Sequence, residues 1–174
     1  EVGHTLGLRH NFKGSKWVGL KDMNGEKSNN GCLSATVMDY NPTNIAPKGT
    51  KQGDYYSTTL GPYDYWAIEY GYKPLSGGVT GEASELKKIA AKSGDPALAY
   101  ATDEDTRGTD PDPDTNRFDL GSDPVEYAAA RLQTMKERCD LIITDVIMPR
   151  MKSAAFVEGV KAMRPETRVL YMSG

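Results

Sequence analysis

Cysteine is scarce in this chain. Only Cys32 and Cys139 occur, far apart and without a neighbouring thiol. That excludes a disulfide framework and a thiolate metal site, and it leaves the redox compartment open. Long apolar runs are missing as well: no stretch approaches the roughly 18 residues that a spanning helix needs, so no membrane span is expected. Nor is there an excess of positive charge. Lys and Arg number 21 against 24 Asp and Glu, for a net charge of −3, and the basic residues are scattered, which argues against a nucleic-acid binder. No opening Met and no charged-then-apolar leader precede Glu1, so the sequence reads as cut from something longer. What is present, 38% hydrophobic and 26% charged residues over 174 positions, is a soluble globular balance with room for one ordinary domain or two small ones.

Along the chain, Glu1 to about Phe12 reads as a helix broken at Gly7, followed by a Gly/Asn/Ser-rich loop whose sharpest turn signal is Asn30-Gly31. In "TLGPYDYWAIEYGY", Pro62 marks a first helical turn, Tyr63, Trp66, Ala67 and Tyr70 share one face, and Gly71 is the stop. This predicts a short, buried, aromatic-faced helix. A second helix is expected from Glu82 to Lys92 with Gly94 after it, and then an acidic, Pro/Gly-punctuated loop. Asp123 is a helix cap with Pro124 at the first position and Glu126 three residues on, and Val125, Ala128, Leu132 and Met135 form the apolar stripe. From Cys139 the texture changes to an apolar strand, a helix and a second strand, with a right-handed crossover expected between the parallel strands.

Histidine is as scarce as cysteine, and both copies, His4 and His10, fall in the opening "EVGHTLGLRH". Catalytic zinc takes three protein ligands and keeps a fourth position for water. Two histidines four apart on a helix reach one ion, with an acid beside the first to hold the water. His4 fits the second of such a pair and Glu1 the acid, so the first histidine would fall one residue before Glu1. Gly7 lets the backbone leave the helix so that His10 swings back as the third ligand. Asp103, Asp105, Asp110, Asp112 and Asp114 offer oxygens to calcium, but they lack the order of a calcium loop and read better as a solvated loop.

At these residues a family resemblance appears. "EVGHTLGLRH" resembles the metzincin motif HExxHxxGxxH without its leading histidine, and "SATVMDY" is similar to the Met-turn of that clan. The resemblance implies that Met38 underlies the zinc and that Tyr40 can approach it. "LRHNFKGS", "VMDYNP" and "GDYYSTTLGPYDYWAIEYGY" further resemble bacterial zinc-dependent metalloproteases with an EcxA-type zinc-binding domain. The implied fold is α+β, mostly helix and loop, the C-terminal part of a zincin catalytic domain over residues 1–136. The implied activity is hydrolysis of a peptide or protein substrate, with Zn²⁺ on His4 and His10, Glu1 as general base and Tyr40 stabilising the oxyanion. With the first histidine missing, weak zinc binding and weak or no activity are expected.

The tail, "DLIITDVIMPRM" with "VEGVKAMRPETRVLYMSG", resembles a response-regulator receiver domain. There Asp145 matches the phospho-acceptor, Ser173 the switch residue and Met148-Pro149 the turn. Residues 137–174 would then be a partial α/β, flavodoxin-like unit. A complete receiver would need Mg²⁺ and a histidine-kinase partner, and the acidic pair for Mg²⁺ is missing. The alternatives to a metallopeptidase are therefore phosphorelay through Asp145 and a catalytically silent chimera or truncated fusion joined near Lys136 to Cys139. The two resemblances also differ in place, secreted or periplasmic for 1–136 and cytoplasmic for the tail.

Overall fold

The first helix, α1 (Val2–Thr5), is a single turn, and Gly7 is the reason. Its φ of 82° is left-handed, and two bonds close the helix end: Leu8 N–H donates to Gly3 O at 3.0 Å and Gly7 N–H to His4 O at 3.0 Å. This nested pair is a Schellman end, and it turns the chain sharply away from the helix axis. The computed structural model describes residues 1–24, 31–138, 140–145, 147–148 and 151–172. Asn30, Cys139, Pro149 and Ser173 lie outside the described residues.

The chain forms two compact units, one of residues 1–46 and 50–127, the other of residues 47–49 and 128–174. In the first unit α1 is followed by α2 (Leu20–Met23), α3 (Pro62–Tyr72) and α4 (Gly78–Ala90), with short 3₁₀ turns at Gly14–Trp17, Ala91–Gly94, Pro96–Leu98 and Asp103–Thr106. Its core has two clusters. Val18, Met23, Leu33 and Leu120 form one, Ala35, Tyr63 and Leu98 the other, and Trp17 packs against both.

Helix α3 begins at Pro62 as expected and buries Tyr63, while Trp66 and Ala67 are half-buried against the second cluster and Tyr70 is exposed. Trp66 donates its indole N–H to Ile89 O at 2.8 Å, which ties α3 to α4. Helix α4 starts four residues earlier than expected. Gly77, left-handed at φ 99°, provides the turn into it, and "GVTG" carries no helix-forming signal by which sequence could have placed that start.

No strand is present among the described residues of this unit, so its buried loops satisfy their backbone groups through side chains. Asn11, fully buried, does most of this next to His10. Its amide donates to Ala99 O at 2.9 Å, its Oδ1 accepts from Lys13 N and Ala101 N, and its own N–H donates to Met38 O.

Helix α5 (Pro124–Arg138) starts where the cap was expected: Asp123 Oδ1 accepts from Val125 N at 2.8 Å and Glu126 N at 3.3 Å. The expected apolar stripe does not face inward. Val125 is 76% and Leu132 52% exposed, whereas Tyr127 packs on the first core cluster and Thr134 is buried. The contact that α5 makes with the first unit's core is thus an aromatic at its first turn, which a count of aliphatic side chains alone misses.

The second unit holds β1 (Leu141–Asp145), β2 (Ile147–Met148), β3 (Met151–Lys152), α6 (Ser153–Met163) and β4 (Arg168–Met172). Strands β1 and β4 pair in parallel, Leu141 opposite Arg168 and Asp145 opposite Met172, and β2 pairs antiparallel with β3. On α6, Val157 and Val160 are buried. The strand, helix, strand order is that read from the sequence, with the β2–β3 ribbon added. Among the described residues no helix is long and apolar enough to cross a membrane.

Replacing Asn11 with Ala would remove the side-chain partner of three backbone groups, Lys13 N–H, Ala99 O and Ala101 N–H. An unfolding free energy lower by about 2–4 kcal/mol in urea titration is the expected result; a loss below about 0.5 kcal/mol would contradict this role.

Candidate metal centre

The chain leaving Gly7 folds back so that the His10 ring stands 4.8 Å from that of His4, edge to face at 82°. Each ring has one nitrogen engaged. His4 Nδ1 lies 2.9 Å from Leu8 O, and His10 Nδ1 2.9 Å from Asp103 Oδ2. A carbonyl and a carboxylate accept, so both Nδ1 atoms donate, and in the neutral ring this leaves the lone pair on Nε2, the tautomer in which imidazole binds a metal. Asp103 is itself held by Arg117 at 2.7 Å and Arg107 at 3.5 Å. The bond to His10 keeps its carboxyl below the usual carboxylate range, so it stays an acceptor at neutral pH.

Met38 lies under α1. A Cβ on Gly3 would come within 2.2 Å of the Met38 sulfur, so the glycine lets the thioether lie directly against that turn. The Met38 loop is clasped from α3 by the buried Asp64, which accepts from Thr36 Oγ1 at 2.6 Å, Val37 N at 3.0 Å and Gly61 N at 2.9 Å. Tyr40, 40% exposed, places its ring 4.5 Å from that of His10. Glu1, His4, His10, Val37, Met38, Asp39 and Tyr40 together line a cavity of about 150 Å³.

The five site residues named from the sequence in this unit thus come together. Asp145 belongs to the second unit, at the C-terminal end of β1. Two imidazole Nε2 donors suit zinc, which takes such ligands readily, but a complete site needs a third protein ligand. Among the described residues no three His, Cys, Asp or Glu side chains gather to hold an ion unaided.

Sequence reasoning missed the surrounding support. The acidic loop is not simply solvated: Arg9 pairs with Glu104, His10 with Asp103, Lys13 with Asp112 and Lys16 with Asp114. These pairs draw the loop along the segment that carries His10. The alternation of basic residues at 9, 10, 13 and 16 was the available signal. Asp64 had none, since one carboxylate in an aromatic helix looks like surface.

Asp39 also escaped notice. It is buried, accepts from Ser15 N at 2.9 Å, and faces the equally buried Asp119. Among the described residues Asp39 Oδ1 and both Asp119 carboxyl oxygens have no hydrogen-bond partner. Burial, reinforced by the Asp119 charge, pushes the Asp39 carboxyl up to about 7, and burial likewise raises Asp119.

A one-turn helix bearing a histidine, a left-handed glycine after it, a second histidine folded back and a methionine loop beneath them are the features of a metal-binding zincin half-site. The pattern of the Met-zincin family matches residues 1–160, and the chain belongs to that family. Membership makes this a zinc-metallopeptidase-like domain. The match runs through β1 into α6, and nothing in it supports a receiver domain or the EcxA-type group in particular. No curated protein and no solved structure matches the chain.

Between about pH 4 and 7 the folded chain keeps a proton on Asp39 that the unfolded chain has released. Stability therefore falls as pH rises through that window, by up to about 4 kcal/mol if Asp39 acts alone. Asp39→Asn, which keeps an acceptor for Ser15 N–H, is expected to flatten the fall in melting temperature between pH 5 and 8 followed by circular dichroism. An unchanged slope would show that Asp39 ionises freely in the fold.

Proposed function

We propose that this chain carries the C-terminal part of a zinc-dependent metallopeptidase active site. The observation that carries the reading is the pair of free Nε2 atoms on adjoining rings, each ring fixed through its Nδ1, above Met38. His4 and His10 would hold the ion, with a histidine directly ahead of Glu1 as third ligand. When bound, zinc supplies Lewis acidity to the substrate carbonyl and lowers the pKa of water to about 7. Glu1 would accept the proton of the attacking water and pass it to the leaving amine. The Tyr40 hydroxyl would donate to the oxygen on which negative charge develops. Asp103 and Leu8 O keep the two rings in the metal-binding tautomer and so act as positioning groups. The shared stretches around His10, Met38 and α3 support a finer reading, the EcxA-type bacterial metalloproteases, with a peptide or protein as substrate.

Zinc affinity, measured by competition with a chelating dye, tests the ligand set. Adding a histidine before Glu1 is expected to tighten binding at least about 100-fold, and His10→Ala to weaken it to background. Asp103→Asn should weaken it about 10-fold through the lost orientation of His10. Equal affinity with and without the added histidine would overturn the coordination. Glu1→Gln in the histidine-completed chain should retain zinc and lose hydrolysis of a fluorogenic peptide; retained hydrolysis would remove Glu1 from the reaction.

A further inference from the structure

Phe118 is the one non-glycine residue with a left-handed backbone among the described residues, at φ 61°. Cβ sterics disfavour that region for every residue but glycine, and an aromatic there needs a reason. Its neighbours explain the backbone. Arg117 turns inward to donate to Asp103 at 2.7 Å and lies 4.8 Å over the Phe12 ring, and Asp119 turns inward to bury its carboxyl. With both flanking side chains directed inward, Phe118 is thrown outward and is 64% exposed. It does not stand free in solvent. Its ring stacks on Tyr40, centroids 5.5 Å apart and planes within 18°, and Tyr40 is the ring beside His10. His10, Tyr40 and Phe118 therefore make a continuous aromatic shelf running outward from the two histidines.

We propose that Tyr40 and Phe118 receive an aromatic or large aliphatic side chain of the bound peptide, so that Phe118 sets a preference for such a residue beside the reacting carbonyl. The proposal rests on the metallopeptidase reading for its choice of ligand. Covering the exposed part of an aromatic stack removes apolar surface from water and adds a ring contact, both of which favour a bulky side chain over glycine. The occupant is a peptide side chain because the shelf is continuous with the cavity that Glu1, His4 and His10 line. A role limited to shielding Tyr40 would need no outward-thrown aromatic with so much of its own surface in water.

The test follows the ring resonances of Tyr40 and Phe118 by NMR while the chain is titrated with N-acetyl-phenylalaninamide, N-acetyl-leucinamide and N-acetylglycinamide, with and without zinc. The phenylalanine and leucine amides are expected to shift both rings and to half-saturate at about fivefold lower concentration than the glycine amide. Phe118→Gly should abolish that preference with the remaining spectrum native-like. Because glycine adopts the left-handed backbone without strain, loss of folding does not confuse the result. Equal titration by all three amides, or a preference that survives Phe118→Gly, overturns the shelf. The metal reading is scored separately in the same samples by whether zinc shifts the His4 and His10 ring signals.

Discussion

Two imidazoles six positions apart can share an ion only if the helix carrying the first stops almost at once. Continued helix would rotate His10 far from His4 and carry it about 9 Å along the axis. The left-handed Gly7 and the nested bonds from Gly7 and Leu8 prevent this. The same turn brings Leu8 O back onto His4 Nδ1, so ending the helix also sets the tautomer of its histidine. Helix end, ring placement and metal-binding lone pair thus depend on one backbone conformation.

Around that turn the protein uses polar clasps where other folds use a sheet. Asp64 pins the Met38 loop to α3, Asn11 ties the segment after His10 to residues 99–101, and the charge pairs from Arg9 to Lys16 bind the acidic loop to the same segment. Exposed ion pairs add little stability each. Their contribution here is register, because they set Asp103 against His10. The 117–119 stretch closes the arrangement, with Arg117 on Asp103, Phe118 on Tyr40 and Asp119 against Asp39.

The second unit teaches a different lesson. Its parallel strands and intervening helix follow the order expected from the tail, yet that order recurs in many α/β proteins and does not by itself carry a receiver's chemistry. The Met-zincin pattern continues through most of this unit, past the position where the sequence texture changes. A change of texture can mark a switch from loop-rich to strand-forming chain as readily as a change of ancestry.

Much of the candidate metal site was legible in the linear sequence because its information is local. The spacing of His4, Gly7 and His10 is a helix followed by a break, and Pro62 and Asp123 announce helix starts by the chemistry of single turns. The α5 face was misread because burial depends on which neighbour a helix meets, and no periodicity reports that. Asp64, Asp103, Asp39 and Phe118 owe their places to partners 24 to 93 residues away or to an inward turn of their neighbours. The sequence by itself determined where the chain turns and which atoms can bind a metal, since those follow from backbone sterics and side-chain chemistry. Only the tertiary structure decided which carboxylates support those atoms and which ring borders them, because long-range pairing is selected by packing and charge together and leaves no fixed spacing along the chain.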